Sequence, residues 1–167
     1  MTEKDKLFSS KIKYNGVLLF SEFYRFCYDW LIDETGLILS EDKYAEKLAG
    51  DSKNIDIEWN GFRNLTDYFR FEAKVNFKII GLTNVEITQD NKKIKTNKGN
   101  VEMSIKGVLA RDYKGKFERT AMQKFMRAIY EKWVIPARVE QFEEKIIKDC
   151  DDFLSQAKAY LDLEGKR

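Results

Sequence analysis

The sequence predicts an α+β fold, a curved antiparallel β-sheet packed around a long C-terminal helix with an aromatic-rich helix near the N-terminus. Three observations lead there. Apolar and polar side chains alternate strictly along residues 69–79, the hallmark of a half-buried strand. From about Phe117 onward the apolar period lengthens to three and four, the spacing of a helix face. The stretch "FSEFYRFCYDW", residues 20–30, places six aromatic side chains in eleven positions. At 167 residues, with one proline and no low-complexity linker, the chain is expected to form one domain, 1–167, with residues 1–8 a flexible leader.

Element by element, "SSKIKYNG" reads as a short first strand closed by the turn signal Asn15-Gly16. Residues 17–33 then read as a helix. At about 100° per residue its polar side chains fall within roughly 120°, and its apolar ones spread over about 200°. An ordinary surface helix needs an apolar stripe only about 100° wide, so this helix must be covered on more than one flank. Residues 41–49 suit either a capped helix or a strand, with the Tyr44, Glu46 and Leu48 alternation favouring the strand. In "NIDIEWN", Ile55, Ile57 and Trp59 face one way.

"DYFRFEAKVNFKIIG" is the strongest strand signal. Phe69, Phe71, Ala73, Val75, Phe77 and Ile79 share one face, which specifies an antiparallel sheet with one wet and one buried side. "NVEIT" and "KKIKT" follow as short strands around the turn "QDN", and "NKGN" reads as a turn into "VEMSIKGVLARDY", where Val101, Met103, Ile105 and Leu109 continue the buried set. Gly107 inside that strand marks a bulge or a sharp bend. The helical part, 117–162, carries two buried stripes. Met122, Phe125, Met126, Ile129 and Trp133 form the first. Val139, Phe142, Ile146, Cys150, Phe153, Ala157 and Tyr160 form the second. Pro136 lies between them, so a kink or break is expected near Val134–Ile135.

Composition excludes much chemistry. With no histidine, Ser-His-Asp and Cys-His nucleophile systems and the commonest transition-metal ligand are out of reach. No glycine-rich phosphate loop is present. The carboxylate pairs Glu143/Glu144 and Asp151/Asp152 fall on a solvated helix face. The sequence therefore assigns no catalytic residue, metal ligand or cofactor. Cys27 and Cys150 sit on apolar helix faces and read as reduced, buried thiols. The N-terminus is polar and the run "VLLF" is too short for a signal peptide or a membrane span, so a cytoplasmic protein is expected. The net charge of +2 hides a contrast: residues 92–138 hold 13 Lys and Arg against 4 acids.

The order strand, helix, antiparallel meander, long C-terminal helix resembles the helix-grip fold of START-like proteins (the SRPBCC superfamily). The likeness spans roughly residues 9 to 162 and is most suggestive at "KFMRAIYEKWVIPARVEQFEEKI", which looks like the closing helix of cyclase-like members. That family has two helices between its first and second strands, where this chain shows one. An α+β sandwich of another topology is the alternative.

What the resemblance implies is a cavity between sheet and C-terminal helix that binds an apolar or amphipathic, lipid-like small molecule without transforming it. Phe69, Phe71, Phe77, Met103, Phe142 and Ile146 would line it, with Arg63 and Tyr68 as polar contacts near a strand entry. The same residues are also what a sheet packed on a helix uses to fill its core. The alternative is an interaction or self-assembly module, a homo-oligomer built on helix 17–33 and the C-terminal helix, with Tyr24 and Tyr28 at the surface. A lesser alternative is nucleic-acid binding through "KKIKTNK" and Lys114, Lys116, Arg119, Lys124 and Arg127.

Overall fold

A computed structural model describes residues 3–114, 121–129, 132 and 136–165. The chain runs β1 (Glu3–Leu18), α1 (Phe20–Thr35), β2 (Ile38–Ala49), β3 (Ser52–Asn64), β4 (Phe69–Gln89), β5 (Lys92–Arg111), α2 (Ala121–Ile129) and α3 (Pro136–Gly165). The five strands form one antiparallel sheet in the order β1-β5-β4-β3-β2. The fold is thus α+β with a long C-terminal helix, and the ambiguous 41–49 stretch is an edge strand. Residues 3–8, expected to be a loose leader, belong to β1. Lys4 and Asp5 pair with Ala110 and Leu109, and the Arg111 guanidinium donates to Asp5 at 3.0 Å.

The buried face follows the alternation. Ile55, Ile57 and Trp59 on β3, every second residue from Phe69 to Ile79 on β4, and Val101, Met103, Ile105 and Leu109 on β5 are all buried. The meander itself is simpler than the turn signals suggest. "NKGN" is not a turn: Asn97 to Asn100 continue within β5, and Asn15-Gly16 pair with Asn100 and Gly99 instead of ending β1. The reason is a close backbone approach. A Cβ at Gly99 would lie 3.1 Å from the Leu82 Cα, so this glycine serves packing rather than chain reversal. The irregularity falls on β4, where Gly81 takes φ 68° and the ladder shifts between Ile80 and Thr83. From Val85 and Thr96 outward β4 and β5 continue alone as a two-stranded arm. Its tip is Asp90-Asn91, whose positive φ values (51° and 63°) suit a tight hairpin.

α3 lies across β1 and β5, and its stripe is the second one expected. Ile146, Cys150, Phe153 and Ala157 are buried, while Val139, Phe142 and Tyr160 are half-buried. Pro136 is its first residue, where a missing N–H costs nothing. The break expected at Val134–Ile135 lies outside the described residues, as does Trp133. Gly107 brings helix and sheet together: a Cβ there would sit 2.7 Å from Cys150 Sγ and 3.1 Å from Ile146 Cγ2. The bulge anticipated at Gly107 is on its neighbour, where β1 shifts register between Lys6 and Phe8, the residue opposite Gly107.

The first helical stripe is not buried. Met122, Phe125, Met126 and Ile129 on α2 are 76%, 64%, 55% and 38% exposed. Helical period identifies a face that favours burial, and the period is indeed present. What it does not guarantee is a partner within the same fold.

Candidate functional site

α1 links one edge strand of the sheet to the other, and its wide apolar arc is covered on three sides. The centre of the arc, Phe20, Phe23, Cys27 and Leu31, is buried on the sheet, with Phe23 edge-on to Phe77 at 6.1 Å. One flank packs on α3, where Phe26 stacks with Tyr160 at 4.7 Å and Trp30 meets Phe153 at 5.8 Å. The other flank packs on β3. The rings of Tyr24 and Tyr28 stand nearly perpendicular to buried Trp59, at 5.1 and 5.3 Å, and parallel to each other at 6.5 Å. Trp59 in turn meets Phe77 at 4.7 Å, so the tyrosine pair rests on the deepest layer of the core.

Both helix ends are held by distant residues. Leu19 at the N-cap has no side chain able to accept a hydrogen bond. Asn97 of β5 accepts from the Phe20 N–H at 3.2 Å, meeting one of the free donors of the first turn. At the other end Gly36 takes the left-handed cap conformation at φ 71°, and the Arg63 guanidinium donates to the Thr35 carbonyl at 3.2 Å.

Between the outer flank of α1 and the sheet lies a groove of about 590 Å³. Phe20, Tyr24, Tyr28 and Leu82 give it apolar surface. Arg25 and Asp29 from α1, Glu41 and Tyr44 from β2, and Lys53 from β3 give it charge and hydrogen-bonding groups, and Asn97 closes one end. The Tyr24 hydroxyl donates to Glu41 at 2.8 Å and the Tyr44 hydroxyl to Glu46 at 2.7 Å, holding both rings in place. Partial burial, reinforced by the bond to Glu41 and its charge, pushes the Tyr24 phenol up to about 12. The Tyr44 phenol is raised for the same kind of reason, and its hydrogen bond holds the Glu46 carboxyl below the usual range. Neutral Tyr24 and Tyr44 and an ionised Glu46 therefore coexist across the ordinary pH range. Such a surface can stack a ring, pair with a charge of either sign and accept hydrogen bonds.

The residues singled out from sequence lie elsewhere. Phe69, Phe71, Phe77, Met103 and Ile146 are buried in the core between sheet and helices, and half-buried Phe142 covers Phe69 at 5.5 Å. Tyr68 is buried edge-on to Phe69 at 4.9 Å, and Arg63 caps α1; neither lines the groove. Tyr24 and Tyr28, taken from the sequence as interaction surface, are half-buried and form the groove's floor. Arg25, Asp29, Glu41, Tyr44 and Lys53 carried no sequence signal of a site, because each is an ordinary surface residue of its own element. Cys27 and Cys150 are free and buried. Burial raises both thiols, Cys150 to about 12 with help from Asp149, so neither is a ready nucleophile. Among the described residues no helix is long and apolar enough to cross a membrane.

Comparison with known proteins adds no kinship: no protein family and no curated protein matches the chain.

Proposed function

We propose that the protein binds an amphipathic, ring-containing small molecule, without transforming it, in the groove between α1 and the β2–β3 edge. The observation that carries this reading is the floor of that groove, two parallel tyrosine rings seated on buried Trp59 with charged groups of both signs at the rim. Ligand sites of this size are mostly apolar with a few orienting polar groups, and about 590 Å³ lies within the range of small-molecule pockets. The space between sheet and α3 is the less favourable place, since large buried side chains occupy it. A helix-grip-like kinship is part of the same proposal. It draws support from β1 lying beside β5 with α3 laid across both, and from ladder bulges of the kind that bend a sheet.

The test uses the whole chain and the fluorescent probe anilinonaphthalene sulfonate, which presents an aromatic system and one anion. Saturable binding that quenches tryptophan emission and falls at least tenfold in Tyr24→Ala/Tyr28→Ala is expected. Binding untouched by that double variant but lost in Phe125→Ser would move the site to α2 and overturn the proposal.

A further inference from the structure

The exposed stripe of α2 is an independent feature, far in sequence from the groove and sharing no residue with it. Met122, Phe125, Met126 and Ile129 are spaced i, i+3, i+4 and i+7 and fall within about 100° of the helix circumference. Lys124 and Arg127 hold positions centred opposite the stripe, and "AMQKFMRAI" contains no acid. The helix also sits within residues 92–138, where 13 Lys and Arg face 4 acids. An apolar face of Phe, Met and Ile with a cationic face opposite is the profile of a helix lying in a membrane interface.

We propose that α2 is a docking helix for anionic phospholipid surfaces, its stripe entering the headgroup–acyl boundary while Lys124 and Arg127 contribute attraction to the lipid charge. Two other occupants fit less well. A stable interface with a second copy takes roughly 20–30 residues a side, and α2 offers four apolar side chains. Two such helices would also bring together two cationic segments with no acid to pair them. Nucleic acid would satisfy the cations and leave Met122, Met126 and Ile129 in water. A bilayer satisfies both faces at once, because each Lys or Arg near an anionic surface is worth about fivefold in partitioning and the apolar side chains add theirs.

The experiment is co-sedimentation of the full chain with vesicles of phosphatidylcholine alone and of phosphatidylcholine with phosphatidylserine. Binding to the phosphatidylserine vesicles is expected to exceed binding to the neutral ones by at least tenfold. It should fall steeply as salt rises from about 0.1 to 0.5 M, where charge attraction is screened over a much shorter distance. Phe125→Ser/Met126→Ser should lose on the order of tenfold or more by removing apolar insertion. Lys124→Glu/Arg127→Glu keeps the stripe and should abolish the preference for phosphatidylserine. All four changes fall on α2, where Lys124, Phe125 and Met126 are exposed, and an unchanged circular dichroism spectrum and Tm would confirm that the fold survives. No binding, equal binding to both vesicle types, or binding indifferent to these variants would overturn the proposal. So would a concentration-dependent dimer that Phe125→Ser dissolves, since the stripe would then belong to a second copy.

Discussion

α1 and α2 are both amphipathic, and their fates are opposite. α1 has the wider apolar arc, about 200° against about 100°, and each flank of it is covered at least in part from within by β3, β4 and α3. α2 has the tidier stripe, and that stripe faces solvent. The contrast separates two properties that a helical wheel runs together. Periodicity reports that a face gains by leaving water; the topology decides whether anything in the same chain is there to cover it. α1 is threaded between the two edges of the sheet, so sheet and C-terminal helix close on it from both sides. α2 follows the last strand and comes before the helix that closes the core.

The largest expected effect tests that contrast directly. Trp59→Ala removes the support beneath Tyr24 and Tyr28 and the partner of Phe77, and leaves a cavity the size of an indole in the deepest layer. It should cost about 3–5 kcal/mol in chemical denaturation. Phe125→Ser on α2 should change stability by no more than about 0.5 kcal/mol, because that ring already faces water. A cost for Phe125→Ser approaching that of Trp59→Ala would mean that α2 packs inside the protein, and the contrast would collapse.

A second test probes the closeness of α3, the element that covers α1's other flank. Gly107→Ala puts a methyl group 2.7 Å from Cys150 Sγ and 3.1 Å from Ile146 Cγ2. The helix has to shift or the side chains leave their rotamers, at about 1–3 kcal/mol. Cys150→Ala removes the nearer obstacle, so the double variant should lose less than the sum of the two single ones. Strict additivity would show that the sheet and α3 are not in contact at this point.

How much of this was legible in the sequence follows from how local each signal is. The strand at Phe69–Ile79 was readable because its alternation is written in consecutive residues, and α3's inner face because seven apolar positions keep one period. The long β4–β5 hairpin was not, since Gly99 carries the same turn signal whether it reverses the chain or lies on the Leu82 backbone. Only the neighbouring strand distinguishes the two. Arg63 and Tyr68 illustrate the same limit: a strand entry was correctly located, but the carbonyl Arg63 caps belongs to a helix 28 residues earlier in the chain. The groove was illegible for a stronger reason. Its walls come from α1, β2, β3, β4 and β5, each contributing residues unremarkable on their own, and they become a site only when α1 crosses the sheet. The width of α1's arc was the one local hint, for it announced a second covered flank without naming Trp59.

The smallest expected effect concerns the groove floor itself, where cover is partial rather than complete. Tyr24 has a pKa raised from 10.0 to about 12, by burial first and then by the Glu41 carboxylate that accepts its hydroxyl. A raised acid pKa means the folded state holds this proton more tightly than the unfolded chain does. The resulting stabilisation is complete below pH 10 and is lost as pH rises through about 12. Tyr24→Phe should therefore cost at most about 0.5–1 kcal/mol at neutral pH, the worth of one half-exposed hydrogen bond. Over the alkaline range the variant should lose less further stability than the parent, since it has no phenol left to ionise at this position. Ultraviolet titration gives the second readout: one late-ionising tyrosine should vanish from the curve. If parent and variant lost stability in parallel up to pH 11, as about 1 unit above the unfolded phenol value, Tyr24 would be ionising as freely as a tyrosine in water. The outer flank of α1 would then be open in the way α2's stripe is, and the two helices would differ in only one flank rather than in kind.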